Sequence, residues 1–407
     1  MYKLLNDICV IEASAFVAAP LCSMVLAQLG AKVIRVDQIG GGPDYLRWPL
    51  APGGGSLYWD GLNKGKKSVA LDLKHPEGRE ILTRLITREH PGSGLFVTNF
   101  PENGFLSHSE LKKKKKDLIS LRIMGNPDGT SAVDYTINVA TGLPLITGDP
   151  EVSTPVNHVL PAWDVITGLY GALSLLATER RRRSDGLGAE IKISLADVAF
   201  ASMGNLGFLG EVATSQTNRP RYGNVLFGAF GRDFVTLDNK RVMIVAITSK
   251  QWRALVKTFN CSDEIIELEK QTQEDFLSDA GARFRHHEAL VGIFEPRIAK
   301  LPFQSLQKLL NENEVCWGPY QTLLETLNND ERVSEQNPIF SMETHASTGT
   351  YLTPAYPASI SGSTPQQAAK ASRLGADTEE VLSDILNLST TEIQHLIDNN
   401  IAFTSAS

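Results

Sequence analysis

The sequence predicts an α/β protein built on a doubly wound parallel sheet, with a second, smaller α+β region. Three observations lead there. Short apolar runs alternate with helical runs through the first 200 residues, the pattern of repeated β-α-β units. ICVIEA (8–13), the helical LCSMVLAQLG and KVIRVD (32–37) make the first unit, whose crossover is right-handed in nearly all known cases. From about residue 220 the texture changes to hairpin character, RYGNVLFGAFGRDFVTLDNKRVMIVAI, with Asp238-Asn239 at the turn.

The remaining elements follow in order. SVALDL (68–73) is a strand, and HPEGREILTRLI is a helix with Pro76 early in it, where a missing N–H is harmless. LFVTNF (95–100) is a strand that turns at PENG, and a helix around 108–116 leads into the strand LISLRI (118–123). A loop-rich stretch runs from 124 to 163. DVITGLYGALSLLATERRRR (164–183) is strongly helical, AEIKISL (189–195) is a strand, and ADVAFASMGNLGFLGEVA is another helix. QWRALVKTF and helices through 275–313 fill the smaller region; beyond 330, loops and strands end in the helices TEEVLSDILN and TTEIQHLIDN. Lys112 to Lys116 read as a solvated helix face, and Arg180 to Arg183 as cations complementing a helix end.

Composition removes several classes. Of 407 residues, 42% are hydrophobic and 21% charged, which excludes a disordered chain. A formal charge of −7 leaves no footprint for nucleic acid. No run approaches the roughly 18 apolar residues of a membrane span, and MYKLLNDICVIEASAF has no signal-peptide pattern. Cys9, Cys22, Cys261 and Cys316 are too scattered for a disulfide framework or a metal pair. The eight histidines lack chelating spacing, and G-x-S-x-G and Walker A motifs are absent. A soluble cytoplasmic enzyme without a metal is therefore expected.

Asp37 closes the second strand as a ribose-binding acid would, but the first turn is ASAFVAAP rather than glycine-rich, so no nicotinamide or flavin site is expected. Ligands of such sheets bind beyond the carboxyl ends of the strands, which singles out Asp37, Leu71 to Lys74 and Asn99 to Pro101. Asp164 follows a Pro-Ala-Trp stretch and opens an apolar helix. Free N–H groups and the helix dipole there favour an ionised carboxylate. It reads as an N-cap or as a nucleophile beside Trp163, and the two roles are compatible.

AFVAAPLCSMVLAQLGAKVIRVD, NKGKKSVALDLKHPEGREIL, VTNF and PAWDVITGLYGALSLLATERRRRSDGLGAEIKISLAD stand in this order. Together they resemble the family III CoA-transferases, which include formyl-CoA transferase, carnitine CoA-transferase and the α-methylacyl-CoA racemases. The likeness runs over nearly the whole chain. It implies a Rossmann-like large domain around a smaller one, in a homodimer of interlocked rings. On that layout 1–215 and 329–407 build the large domain and 220–328 the small one. CoA enters as the substrate moiety, with no tightly bound cofactor, and the partners are an acyl-CoA and a small dicarboxylate.

The resemblance makes Asp164 the catalytic aspartate, carrying a mixed anhydride and then an aspartyl-CoA thioester. It assigns CoA to Val17 and Ala18, to Leu71, Asp72, Leu73 and Lys74, and to Asn99, Phe100 and Pro101. The family's arginine after the second strand is Gln38 here, with Arg35 as the substitute, and a basic position falls near Ser107. Asp134 and Tyr135 become acceptor-site residues, and Gly228 and Gly231 a flexible segment that shields the anhydride; a plain turn remains the alternative for each. Racemases of the family carry a histidine where this chain has Val133 and a glutamate where it has Thr248, so proton transfer at an α-carbon is not expected. Within the family, IGGGPDYLRWP, GLNKGK, VDYTIN, VNHVLPAWD and NRPRYGNVLFGAFGRDF resemble the branch that shifts CoA from C1 to C4 of mesaconyl-CoA. An intermolecular transferase using a dicarboxylyl-CoA and a free acid is the alternative. A CoA-binding protein without chemistry is the non-enzyme one.

Overall fold

The computed structural model describes residues 2–102, 104–364 and 367–405. Its central sheet is built from β1 (Cys9–Ala13), β2 (Lys32–Gln38), β3 (Lys67–Leu71), β4 (Leu95–Thr98), β5 (Ile119–Met124) and β6 (Ala189–Ser194). They lie in the order β3-β2-β1-β4-β5-β6, and Ala402–Phe403 adds a short edge beside β3. Every pair is parallel except that last one. This is the doubly wound order that the alternating pattern predicts, and its direction reverses between β1 and β4. Successive residues Val10 and Ile11, or Phe96 and Val97, are all buried, as strands covered on both faces must be.

Helices Pro76–Thr87, Thr378–Leu386 and Thr390–Asp398 bury Ile81, Leu82, Leu85, Val381, Leu382 and Leu396 against Ile34, Val36 and Val69 of the sheet. A second pair, Ala18–Gln28 and Ala162–Asp185, crosses almost backbone to backbone. A Cβ on Gly168 would stand 2.7 Å from the Ala18 carbonyl oxygen, and one on Gly171 3.3 Å from Cys22 Sγ. At 168 only glycine permits that approach, because the opposing atom is backbone.

Met1–Thr141, His158–Gly210 and Glu331–Ser407 form one compact unit; Gly142–Asn157 and Glu211–Asp330 form the other. The second unit has an antiparallel sheet of Phe230–Val235, Arg241–Ala246 and Cys316–Pro319, with Asn239 left-handed at the first turn. Phe230, Trp252, Phe276 and Phe294 fill its core. Arg221 ties in 142–157 through the carbonyls of Leu145, Val152 and Thr154, whereas the sequence pattern places that stretch within 1–215. Among the described residues no helix is long and apolar enough to cross a membrane, and no His/Cys/Asp/Glu group is placed to hold a metal.

The two basic runs are exposed as expected except for one buried residue in each. Lys115 is buried and pairs with Glu89 and Asp117 at 3.1 and 3.0 Å. Arg182 is buried too, donating to the carbonyls of Ser93, Gly94 and Asp117 at 2.9, 3.3 and 3.2 Å. Both satisfy polar groups where β4 and β5 begin, a demand that helical periodicity does not reveal.

A buried ionic network joins β1 and β2. Arg35 is 1% exposed. Its guanidinium donates to Asp37 through Nε and Nη2, both at 2.9 Å, to Asp44 at 2.9 Å, to Asn63 at 3.0 Å and to the Ser14 carbonyl at 3.0 Å. Glu12 lies 3.4 Å from Nη1 and 2.7 Å from Lys66 Nζ. The Trp59 ring covers the guanidinium at 4.3 Å. Burial works against the Arg35 charge, but Asp37, Glu12 and Asp44 outweigh it and hold the group more firmly protonated than usual. Removing one partner of such a network leaves uncompensated buried charge, a cost of about 3–5 kcal/mol. Arg35→Met should therefore lower the unfolding free energy by about that amount in urea titrations. A loss under about 1 kcal/mol would show that the carboxylates do not need it.

Candidate active site

Asp164 lies in the first turn of the Ala162–Asp185 helix, whose N-cap is Pro161. The expected cap is a different residue. Asp134 Oδ2 accepts the N–H groups of Trp163 and Asp164 at 2.8 and 3.1 Å. Asp134 itself opens the helix Asp134–Ala140 and is 2% exposed. Its Oδ1 lies 2.5 Å from His158 Nε2. From the same short helix, Asn138 accepts from Trp163 Nε1 at 3.0 Å. The Tyr135 hydroxyl donates to the Val159 carbonyl at 3.2 Å, and the Tyr135 ring meets His158 edge-on.

That arrangement relieves Asp164 of capping. Its carboxylate is half-buried and makes no hydrogen bond among the described residues. Burial, then the charge of Asp134, pushes its pKa up to about 7, against an opposing pull from Arg47. A carboxyl group that titrates near neutrality in a partly desolvated place is the mark of a reactive group. Ionised, it is a carboxylate stripped of competing donors, suited to attack a carbonyl.

The β1–β4 switch point supplies the neighbouring wall. Phe16 adopts a left-handed φ of 70° in the turn that follows β1. Asn99, just beyond β4, clamps that turn: its Oδ1 accepts from the Ala15 N–H at 3.0 Å and its Nδ2 donates to the Ala15 carbonyl at 2.8 Å. Val17 is the N-cap of the Ala18–Gln28 helix. Because the Ala18 carbonyl touches Gly168, the turn lies one helical turn along from Asp164. Arg47 stands 5.6 Å from the Phe16 ring centre and 5.4 Å from that of Tyr58. Burial raises the Tyr58 hydroxyl pKa to about 12, so it remains a donor at every physiological pH.

The other sequence-expected residues divide. Gln38 is exposed at the end of β2, and Lys74 is exposed after β3. The Leu71 side chain lies in the core, which leaves only its backbone at the strand end. Asp72 accepts the Lys74 N–H at 2.9 Å, and the Leu73 carbonyl accepts from Arg79 at 2.8 Å. Arg122 holds the loop through Phe100 and Pro101 by donating to the Phe100 and Leu106 carbonyls. Ser107 caps the His108–Lys114 helix. Arg35 is the clear correction: sealed among Glu12, Asp37 and Asp44, it has no donor left for a phosphate. Gly228 and Gly231 belong to the smaller unit, Gly228 at φ 80° and Gly231 where a Cβ would strike Leu226. His158, Arg47 and Tyr58 carry no signal in the sequence beyond their residue types, since they sit in or beside loops without periodicity.

The raised pKa of Asp164 carries a stability consequence. A carboxyl whose folded pKa lies above its unfolded value near 4 is no burden while protonated in both states. The penalty begins as pH rises past about 4 and is complete above about 7. Asp164→Asn should therefore raise the unfolding free energy by about 1–3 kcal/mol at pH 8 and change it little at pH 4.5. Equal effects at the two pH values would show that Asp164 ionises normally.

Comparison with known proteins agrees with this architecture. The model of CoA-transferase family III matches residues 5–378. A 2-methylfumaryl-CoA isomerase from Chloroflexus aurantiacus is 46% identical over 402 residues, covering 98% of each chain. A formyl-CoA:oxalate CoA-transferase from Rhodopseudomonas palustris is 25% identical over 98% of this chain and 97% of its own. A CaiB/BaiF family protein from Brucella suis shares the fold, with a TM-score of 0.76 at 21% identity over 94% of this chain and 100% of its own. The chain, with its doubly wound sheet and its carboxylate at the start of the long helix, belongs to CoA-transferase family III.

Proposed function

We propose that the protein moves CoA from the C1 to the C4 carboxyl of one mesaconyl-CoA (2-methylfumaryl-CoA) molecule, with Asp164 as nucleophile. The observation that carries this reading is the 46% identity, over nearly the full length of both chains, to a protein named for that isomerisation. The more distant likeness to the alpha subunit of a succinyl-CoA–L-malate CoA-transferase, 23% identical, supports the intermolecular alternative and makes it the natural competitor.

In this mechanism the Asp164 carboxylate attacks the C1 thioester carbonyl. A C–O bond forms as the C–S bond breaks, giving a mixed anhydride and CoA thiolate. The thiolate attacks the aspartyl carbonyl, giving aspartyl-CoA and releasing the C1 carboxylate. The C4 carboxylate then attacks aspartyl-CoA and expels the thiolate. Finally the thiolate attacks the C4 carbonyl, and Asp164 leaves as a carboxylate. Each step exchanges one acyl bond for another of similar transfer potential, so nothing is oxidised and no further reactant is consumed. Asp134, which caps the helix, stays out of the covalent chemistry.

Holding the released dicarboxylate beside aspartyl-CoA gives it an effective concentration on the order of 10⁵ M in well-oriented cases. The protein acts as a homodimer in this reading, supported by the exposed apolar residues Leu169, Tyr170, Leu173, Phe200 and Leu206. An uncovered surface of that kind on a single chain marks an interface.

Incubation of the enzyme with mesaconyl-C1-CoA alone should yield the C4 isomer, and labelled free mesaconate should barely enter the product. Extensive incorporation, or dependence on an added acid, would place the protein with the intermolecular transferases. Asp164→Ala should abolish turnover and any acyl or CoA adduct on the helix-start peptide while CoA binding survives; residual activity above about 1% of wild type would refute the nucleophile. Because Asp164 must be ionised to attack, log kcat/KM should climb with pH and level off above about 7.

A further inference from the structure

We propose that Arg47 is the anchor for the substrate carboxylate that is not bonded to Asp164, and so selects dicarboxylyl-CoA over monocarboxylyl-CoA; the proposal rests on the reading of Asp164 as nucleophile. Four observations meet at this side chain. It is exposed, yet its backbone is pinned on both sides. Its N–H donates to the Asp44 carbonyl at 3.3 Å, and its carbonyl accepts from Ser56 Oγ at 2.5 Å. Asp44 is in turn fixed to Arg35 at 2.9 Å. The guanidinium lies against Phe16 and Tyr58 at 5.6 and 5.4 Å from their ring centres and hydrogen-bonds the Tyr58 hydroxyl, which limits its sweep while leaving its other N–H donors uncommitted to a carboxylate. Among the described residues it forms no ion pair with a carboxylate, unlike Arg35 and Arg182, whose side chains are enclosed by partners.

An arginine held in place by one hydroxyl, with its remaining donors not paired to any carboxylate, suits a substrate carboxylate, which a guanidinium can bind in a bidentate manner. The reaction supplies one at each stage. While C1 is joined to Asp164 the C4 carboxylate is free, and once C4 is joined the C1 carboxylate is free. Acylation also removes the negative charge of Asp164, to which Arg47 is electrostatically coupled. The cation then faces the substrate's own anion. Asp134 cannot take this part, because it is itself an anion committed to the helix start and to His158.

The test pairs mesaconyl-C1-CoA with (E)-2-methylcrotonyl-CoA, in which a methyl group replaces the C4 carboxylate. Wild type, Arg47→Gln and Arg47→Lys are compared by the rate of adduct formation on Asp164, read by mass spectrometry of quenched enzyme. Working at pH 8.5 keeps wild-type Asp164 ionised, and any residual effect of losing the Arg47 field on that group slows both thioesters alike, so the contrast between them reads the anchor alone. Arg47→Gln should slow the mesaconyl reaction roughly ten- to hundredfold, leave the 2-methylcrotonyl reaction within about twofold, and admit more labelled free mesaconate into product. Arg47→Lys should recover part of the loss. Equal slowing with both thioesters would overturn the proposal and make Arg47 a support of Asp164 or of its own loop; no slowing with mesaconyl-CoA would overturn it outright. If wild-type enzyme forms the adduct faster from the dicarboxylyl thioester but does not isomerise it, the anchor stands and the intramolecular reading falls.

Discussion

The guanidinium of Arg35 is the constraint on which the site's architecture hangs. It joins Glu12 of β1, Asp37 of β2, Asp44 of the following loop and Asn63 beyond the Leu57–Leu62 helix in one buried cluster. Such clusters seldom add stability over a well-packed apolar core, because desolvation consumes most of the Coulomb gain. What this one supplies is position. A loop rich in glycine, running past the carboxyl ends of two parallel strands, has little else to fix it, yet it carries Arg47 toward the turn at Phe16. Asn99 does the same work from β4 by gripping Ala15. The wall of the site is therefore held from the sheet's interior rather than by contacts on its surface.

Two aspartates at one helix start divide the physical tasks that a single residue was expected to combine. A carboxylate that caps a helix is stabilised by N–H donors, which lowers its basicity and occupies its lone pairs. A nucleophile needs the opposite. By placing Asp134 on the N–H groups of Trp163 and Asp164, the fold satisfies the helix while leaving the Asp164 carboxylate without donors. The adjacent negative charge then adds to the burial that already raises its pKa. The raised pKa is a structural cost carried by the site, and the Asp134 cap contains it by keeping the helix start intact whichever state Asp164 adopts.

Much of this was legible in the sequence, and the boundary has a physical reason. β1 to β5 follow from apolar runs whose both-face burial leaves a strong signal, β6 from the alternation of AEIKIS, and the helix at 162–185 from a long apolar period. Asp164 stood out because it sits where a loop meets that helix. Asp134 was read as an acceptor-site or turn residue and not as the cap of the long helix, since its partners Trp163 and Asp164 lie some thirty positions away and no periodicity links them. Arg35 illustrates the opposite error. A charged residue in an apolar strand looks available to a ligand, when a parallel sheet buried on both faces obliges it to find partners inside. Arg47 and His158 occupy irregular segments, where local pattern carries no information about which ring or carboxylate comes near.

These features bear on the proposed reaction and on its place beside the switch point of the sheet. Beyond β1 and β4, Asn99 fixes the backbone of the turn at Phe16 by bonding both the N–H and the carbonyl of Ala15. Acyl transfer through aspartate alternates a charged and a neutral side chain at one position, so surroundings that relaxed with each state would dissipate the advantage of holding reactants together. The rings of Phe16 and Tyr58 beside Arg47, the buried Asp134 on the Trp163 N–H and the close approach of the Ala18 carbonyl to Gly168 are the contacts that would oppose such relaxation. In the proposed reaction, Asn99 at Ala15 and Asp134 at the N–H groups of Trp163 and Asp164 would hold these surroundings while the charge of Asp164 changes.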